Sequence, residues 1–207
     1  YPYLKEIASL NKKTILSTGM STLKEISFAL KTLLKFGLSK NKISILHCHT
    51  DYPSSIDDLN LNCIKTIKKI FKLQTGYSDH SMGITAPIVA AALGSEIIEK
   101  HLTLDKKLSG PDHQASINPK EFSQMVASVR QVEKMLGNGK KIPTNRELKN
   151  KVLVRKSIVA RKKISMGEKF TTSNITTKRP AMGKSPKLYK NILGKISKKN
   201  YERDDFI

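Results

Sequence analysis

The chain has 207 residues, 38% hydrophobic and 27% charged, a balance that supports a buried core and excludes a disordered polypeptide. No apolar run approaches the roughly 18 residues of a membrane span, and the two cysteines, Cys48 and Cys63, match no metal-ligand or redox spacing. We therefore predict a cytoplasmic protein of one domain, or of one domain and a fraction.

The formal net charge of +21 is high enough to suggest nucleic acid or a membrane surface as a partner. However, the lysines are spread along the whole chain, arginine is sparse, and no nucleic-acid-binding motif is present. A solvated, lysine-rich surface is the favoured interpretation, so neither nucleic acid nor a membrane is expected as a partner. A basic cleft for a small anionic substrate is compatible with it.

The first residues, "YPYLKEIASLNKKT", indicate a helix that leads toward a strand, an arrangement typical of the inside of a domain. We therefore expect an amino-terminal truncation. Four strand–helix units follow at a spacing of roughly 30 residues, the size of a βαβ unit. Their strands are "TILSTG", "KISILHC", "LQTGYSDHS" and "SEIIEKHLTL". The last helix has Asn118 as its N-cap, Pro119 as its first residue and Gly137 as its stop.

Such units build either an open doubly wound sheet or a (β/α)8 barrel. The open sheet usually carries a glycine-rich phosphate loop, which "STGMST" matches poorly. Polar and titratable residues instead follow every strand, at Ser17, 49–52, 78–80 and 101–112, as the carboxyl face of a barrel predicts. We predict an α/β fold in which residues 1–137 form the carboxyl-terminal half of a TIM-type barrel.

The amino-acid composition changes after residue 137. Residues 138–150 form a polar, charged stretch that we interpret as a linker. Residues 151–207 contain short β-rich runs and turn glycines. We predict that they form a small second domain, mostly β with tight turns.

His80 and His101 end consecutive predicted strands and would face each other across the barrel mouth. Two interpretations stay open on this evidence. Each histidine hydrogen-bonds the backbone at its strand end, or both hold a divalent cation with open positions for a substrate oxygen. Asp79 is interpreted as a turn or supporting residue.

Further polar side chains are expected around the same face. A cation and two hydroxyls that suit an anion pocket are available from Lys12, Ser17 and Ser78. Taken alone, Lys12 is interpreted as one more surface lysine. Thr50 and Tyr52 follow a strand end, where they could orient a polar ligand. Asp112, after the turn residues of "SGPDHQAS", either caps locally or accepts hydrogen bonds from a polyol. His47 and His113 are interpreted as structural.

Taken together, "GYSDHSMG", "EKHLTL" and "GPDHQAS", with "ILSTGM" and "HCHTDYP" upstream, resemble the bacterial sialic acid synthase family in order and spacing. The family includes N-acetylneuraminate synthase and its legionaminate and pseudaminate relatives. The tail "VARKKISMGEKFTTSNITTKRP" resembles the family's SAF (antifreeze-like) domain. The resemblance covers essentially the whole chain.

The resemblance implies a (β/α)8 barrel joined to an SAF domain, in a domain-swapped homodimer. The implied enzyme condenses phosphoenolpyruvate with N-acetylmannosamine or a related N-acylated sugar and releases phosphate and a nine-carbon 2-keto acid. It implies a divalent cofactor, Mn²⁺ or alternatively Mg²⁺. We expect the fragment alone to be inactive. The competing hypothesis is a non-catalytic basic fragment that binds polyanions or sugars.

The resemblance also implies roles for particular residues. His80 and His101 match the metal ligands and count with Tyr52 as the catalytic set. Ser78 matches a phosphate contact, and Lys12, or the equally near Lys13, matches a phosphoenolpyruvate contact together with Ser17. The implied sugar contacts are Thr50 (where the neuraminate enzymes carry asparagine), Tyr52, Asp112 and, from the SAF domain of the other subunit, Arg179.

Overall fold

The computed structural model describes residues 1–207 and divides them into two units, Tyr1–Gly139 and Lys140–Ile207. The strands of the first unit are β1 (Thr14–Ser17), β2 (Ile43–Cys48), β3 (Gln74–Asp79) and β4 (Ile98–Lys100). Its helices are α1 (Pro2–Ser9), α2 (Leu23–Lys35), α3 (Cys63–Phe71), α4 (Thr85–Ala92) and α5 (Pro119–Leu136). None of the helices has the length and the apolar composition that crossing a bilayer requires.

The four strands pair side by side in chain order, and every pair is parallel. A helix follows each strand, so the first unit is an α/β half-barrel, and the predicted fold class is confirmed. Because the strands are parallel, their carboxyl ends lie along one edge of the sheet. The residues that follow the four strands therefore gather there.

The two faces of the sheet differ in character because successive side chains point to opposite sides. Ile43 and Ile45 of β2 belong to the core cluster, which also contains Ile26, Leu30 and Leu33 of α2. These three α2 residues follow the spacing of one helix face. The opposite face of the sheet carries the more polar set, namely Ser17, Ser44, Cys48, Ser78 and Glu99.

Helix α5 begins with the capping box predicted at Asn118. The Asn118 side chain accepts from the Glu121 N–H (2.9 Å), and the Glu121 carboxylate accepts from the Asn118 N–H (2.8 Å). Lys106 also donates to Glu121 (2.7 Å). Two hydrogen bonds lower the pKa of Glu121: the one from Lys106 has the larger effect, and the one from the Asn118 backbone the smaller. The helix ends at Gly137, whose φ of 57° suits glycine.

Removing this cap is expected to destabilise the first unit in a way that depends on pH. Asn118→Ala should cost about 1 kcal/mol in urea denaturation at pH 7. Glu121→Gln should also be less stable than the wild type at pH 7. Since the folded-state pKa of Glu121 is lowered, its contribution is complete above the unfolded value of about 4.3 and is lost as pH falls through the folded value. A Glu121→Gln deficit that stayed unchanged at strongly acidic pH would contradict this assignment.

The second unit is built around a separate core of Ile158, Ile164, Phe170, Ile175 and Tyr201 with neighbouring side chains. Its regular elements are α6 (Asn145–Val154), β5 (Ser157–Ala160), β6 (Ile175–Lys178) and α7 (Tyr189–Ile192). The strands β5 and β6 pair antiparallel. Three isolated bridges at 159, 164 and 169 add short stretches of β pairing.

Two details of this unit differ from the sequence prediction. Residues 145–150, interpreted as part of a linker, are helical and belong to α6. Thr144 and Glu147 form a capping box at its start, and hydrogen bonds from Thr144 lower the pKa of Glu147. The helix is exposed and polar, so its composition resembles that of a linker. The β content is also smaller than expected, since only β5 and β6 are regular strands.

Candidate functional site

Three aromatic rings meet at the carboxyl edge of the half-barrel. His80 follows β3 and His101 follows β4, and their ring centroids lie 5.2 Å apart at an interplanar angle of 83°. The ring of Tyr52 lies 4.3 Å from that of His80 and 5.7 Å from that of His101, measured between centroids. We call His80, His101 and Tyr52 the ring cluster. The structure thus brings together all three residues predicted as catalytic.

The hydrogen bonds of His80 determine which ring nitrogen is available. Its Nδ1 lies 2.6 Å from the backbone carbonyl of His49. A carbonyl can only accept, so Nδ1 carries the proton and Nε2 of the neutral ring keeps its lone pair. The neighbour of Nε2 is Ser78 Oγ at 3.4 Å, which donates its single proton to Glu99 Oε1 at 2.7 Å. The lone pair of Nε2 is therefore free to bind a ligand.

The segment after β2 holds the Tyr52 ring over the histidines. The Ser54 N–H donates to the carbonyl of His80 (2.9 Å), while Ser54 Oγ donates to the carbonyl of Asp51 (2.7 Å). The His49 ring contributes a contact of 3.2 Å from Nδ1 to Ser54 Oγ. Ser54 is buried although the Tyr52 side chain is exposed. The buried Ser54, hydrogen-bonded to His80 and to Asp51, thus anchors the segment that carries the exposed Tyr52 ring.

Asp112 approaches the ring cluster from the long loop after β4. The loop returns to its start, where the Ile117 N–H donates to the carbonyl of His101 (3.0 Å) and the Thr103 N–H donates to that of Ile117 (2.9 Å). One carboxylate oxygen of Asp112 then lies 3.7 Å from His101 Nδ1. A carboxylate next to Nδ1 favours a proton there and leaves Nε2 of His101 for a ligand. Asp112 is half exposed, so it also has room to contact a bound molecule.

Glu99 is a site residue that the sequence analysis missed. It is exposed on the polar face of the sheet, in register with Ser78 and hydrogen-bonded to it. The signal in the sequence was available, because Glu99 lies two residues before His101 and therefore points to the same face as that histidine. The site thus contains two carboxylates, Glu99 and Asp112, which precede and follow His101 along the chain.

Asp79 does not point into the site. It is fully buried on the face toward the helices, where its carboxylate pairs with Lys100 Nζ at 2.6 Å. This agrees with its interpretation as a supporting residue. The partner, Lys100, was not anticipated, because in the sequence it is one lysine among many. Tyr77, whose hydroxyl donates to Asp79 (2.9 Å), has its pKa raised first by burial and then by the adjacent Asp79 charge.

Other predicted residues lie elsewhere. Thr50 lies over the end of β1, so close to Gly19 that a Cβ on Gly19 would come within 2.0 Å of Thr50 Oγ1. Ser17 ends β1 on the same face of the sheet as Ser78. Lys12 comes two residues before β1, at the amino-terminal edge of the sheet, whereas Ser17 is the last residue of that strand. Arg179 follows β6 in the second unit with an exposed side chain.

The residues of the ring cluster fit a cation only in part. Two imidazoles with available Nε2 atoms are suitable ligands for a divalent transition metal. No group of three or more His, Cys, Asp or Glu side chains is arranged to hold an ion. A cation here would therefore take its remaining ligands from water or from a substrate.

Comparison with known proteins gives matches over nearly the whole chain. The NeuB family model matches residues 1–141, and the SAF domain model matches residues 155–207. The N,N'-diacetyllegionaminic acid synthase of Campylobacter jejuni is 50% identical over 206 residues, which are 100% of this chain and 62% of that protein. The enzyme of the same name from Legionella pneumophila is 40% identical over 93% of this chain and 55% of its own length.

Solved structures show the same relationship. The sialic acid synthetase of Leptospira borgpetersenii, crystallised with citrate, is 38% identical and superposes with a TM-score of 0.66 over 72% of this chain and 51% of its own. The spore coat polysaccharide biosynthesis protein spsE of Bacillus subtilis is 31% identical, with a TM-score of 0.62 over 100% of this chain and 62% of its own. The chain spans between about half and two thirds of the length of these proteins.

Proposed function

Because this chain belongs to the NeuB family, we propose that it is part of a synthase that condenses phosphoenolpyruvate with an N-acylated amino sugar and releases phosphate. The product would be a nine-carbon 2-keto acid. The observation that carries the proposal is the ring cluster itself. It combines two imidazoles whose Nε2 atoms are available with an exposed phenol and two nearby carboxylates, at the edge where a barrel enzyme places its active site.

We propose that His80 and His101 hold a divalent cation, Mn²⁺ or Mg²⁺, through their Nε2 atoms. When bound, the cation would supply Lewis-acid polarisation of a carbonyl oxygen. The contribution of the protein is to hold both rings ready. The His49 carbonyl fixes the proton of His80 on Nδ1, and the Asp112 carboxylate faces Nδ1 of His101. Neither ring must turn or change its tautomer to accept the ion.

The remaining residues of the site would bind and orient the two substrates. The hydroxyl of the exposed Tyr52 side chain and the half-exposed carboxylate of Asp112 can hydrogen-bond sugar hydroxyls next to the histidines. Ser78 has one hydroxyl proton, which it donates to Glu99, so a hydrogen bond to a phosphate oxygen would require that hydroxyl to turn from Glu99 to the substrate. We propose that Ser17 and Ser78, on one face of the sheet, contact phosphoenolpyruvate.

For the sugar, we propose the legionaminate precursor. Two enzymes named N,N'-diacetyllegionaminic acid synthase are 50% and 40% identical to this chain, whereas the human N-acetylneuraminate-9-phosphate synthase is 34% identical. Pseudaminic acid synthases of Campylobacter jejuni are 40% identical, so the pseudaminate precursor is the competing substrate. Thr50, in place of the asparagine of the neuraminate enzymes, lies at the end of β1 within this edge of the sheet.

The test is an assay of the full-length gene product with phosphoenolpyruvate, Mn²⁺ and, separately, N-acetylmannosamine, the legionaminate precursor and the pseudaminate precursor. Phosphate release should require both substrates and stop with EDTA, and mass spectrometry should show the 2-keto acid. We expect kcat/KM to be about 10 to 100 times higher with the legionaminate precursor. No release with any sugar would contradict the reaction, and a preference for another sugar would contradict the substrate.

We also propose a cytoplasmic homodimer in which Arg179 of one subunit reaches the N-acyl group of the sugar bound by the other. The Arg179 side chain is exposed and forms no ion pair in the second unit, which leaves its guanidinium available for a ligand. Both cysteines are free thiols, which suits a reducing compartment. Light scattering of the purified protein measures the oligomeric state, and a monomer would contradict the proposed exchange.

A further inference from the structure

The two histidines of the ring cluster emerge from the sheet directly after one cross-strand pair. In the register of β3 and β4, Asp79 lies opposite Lys100, and this is the last pair of the ladder. His80 and His101 are the next residue on each strand. The separation of the two histidine backbones therefore depends on how firmly Asp79 and Lys100 close the end of the ladder.

These two residues are joined on the face of the sheet opposite the ring cluster. Ser78 and Glu99 form a hydrogen bond on the polar face (2.7 Å), and Asp79 and Lys100, one position further, form an ion pair on the face toward the helices (2.6 Å). The side chains of the pair are 0% and 1% exposed, respectively. The pair thus cannot contact a substrate in the site. Any effect it has on the site must pass through the backbone.

The pair also fixes the chain on both sides of His80. One carboxylate oxygen of Asp79 accepts from the Ser81 N–H (2.9 Å) and from Ser81 Oγ (2.7 Å). The ammonium of Lys100 donates both to Asp79 and to the carbonyl of Ser81. His80 is therefore the middle residue of a three-residue segment whose two ends are held by one lysine from the neighbouring strand.

No buried side-chain polar atom in this network lacks a partner. Complete satisfaction matters because a low-dielectric environment strengthens each hydrogen bond and makes any unpaired group costly. Such a network has few alternative arrangements, so it can hold a backbone in one geometry. A surface pair such as Lys68 and Glu96, with a similar separation of 2.7 Å but nearly half-exposed side chains, can exchange its partners for water.

We propose that Asp79 and Lys100 are positioning residues that set the separation and orientation of the His80 and His101 imidazoles for cation binding. The inference rests on the metal site proposed above. Residues that orient metal ligands typically change metal affinity by about 10- to 100-fold when they are removed. The network would act in this way without touching the ion.

The test uses the 207-residue chain, with Mn²⁺ as the probe. Lys100→Met keeps the aliphatic chain but removes both ammonium contacts, while Lys100→Arg keeps a charged donor and serves as the rescue variant. Mn²⁺ affinity is measured by electron paramagnetic resonance, and the imidazole ¹⁵N signals of His80 and His101 are recorded by NMR without metal. Both measurements are made on variants whose amide NMR spectra show that the first unit is folded. Lys68→Met is the matched control.

We expect Lys100→Met to raise the Mn²⁺ dissociation constant by about 10- to 100-fold and to shift both imidazole signals, with substantial recovery in Lys100→Arg. Lys68→Met should change neither measurement. If Lys100→Met does not fold, Ser81→Ala, which removes one donor to Asp79, should produce smaller changes in the same direction. Unchanged affinity and unchanged imidazole signals in a folded variant would overturn the proposal.

The metal-free NMR measurement separates this inference from the proposed function. A wild-type chain that did not bind Mn²⁺ would contradict the metal site. The imidazole signals would then decide the positioning role alone, since a shift in Lys100→Met with recovery in Lys100→Arg supports that role. The absence of a shift overturns it.

Discussion

His101→Ala is expected to lower kcat for phosphate release by the full-length gene product by about 10³-fold at saturating phosphoenolpyruvate. Removing the ring leaves His80 as the single protein ligand for the proposed cation, and Lewis-acid stabilisation is worth several kcal/mol, with about 1.4 kcal/mol for each factor of ten. Asp112 also loses the imidazole that it faces at 3.7 Å. The measurement is steady-state phosphate release at a series of Mn²⁺ concentrations.

His80→Ala should have an effect of similar size, because the two rings contribute equivalent nitrogens to one cluster. Lys68→Met is the control for both variants, since Lys68 pairs with Glu96 before the start of β4, at the opposite edge of the sheet. Its activity should equal that of the wild type. Retention of more than about a tenth of the wild-type kcat in either histidine variant would contradict the role of these rings in catalysis.

Lys100→Met is expected to destabilise the first unit by about 3–5 kcal/mol, the largest stability effect that we anticipate in this chain. The methionine leaves Asp79 fully buried without its cation, and an unpaired buried charge costs far more than the loss of an exposed one. Urea denaturation followed by tyrosine signals and amide NMR measures the change for the first unit. The second unit has its own core and serves as an internal reference.

Two variants sharpen this prediction. Lys68→Met removes an ion pair of nearly equal length whose side chains are 46% and 43% exposed, and it should cost no more than about 1 kcal/mol. The double variant Asp79→Leu/Lys100→Met should recover only part of the stability that Lys100→Met loses, because it removes the unpaired charge but leaves the Tyr77 hydroxyl and the Ser81 donors without their acceptor. Equal costs for Lys100→Met and Lys68→Met would contradict the assignment of a buried, coupled pair.

Much of the first unit could be predicted because its signals are local. The alternation of apolar runs and amphipathic segments identified each strand and helix from β1 to α5, and the Asn118 cap and the Gly137 stop follow from backbone chemistry. The second unit was harder. Helix α6 is polar and exposed, so its composition indicated a linker even though its capping box was present.

The candidate site also contains features that the sequence predicted and features that it did not. By itself, the sequence determined that His80 and His101 end neighbouring parallel strands, and strand ends meet whatever the side chains do. The resemblance to the family's motifs, which occur in the same order here, predicted Tyr52, Ser78 and Asp112 as further residues of that site. The structure adds that Lys12 precedes β1 while Ser17 ends it, so the two residues lie at opposite ends of that strand.

Only the tertiary structure decided which polar residues work as partners. Glu99 and Lys100 are adjacent in the sequence, yet one faces the site and hydrogen-bonds Ser78 while the other is buried against Asp79. The alternation of side chains assigns them to opposite faces, but it is the register between β3 and β4 that gives each residue its partner. Burial then turns an ordinary lysine into the residue that fixes the chain around His80, because a buried charge must find its partner within the protein.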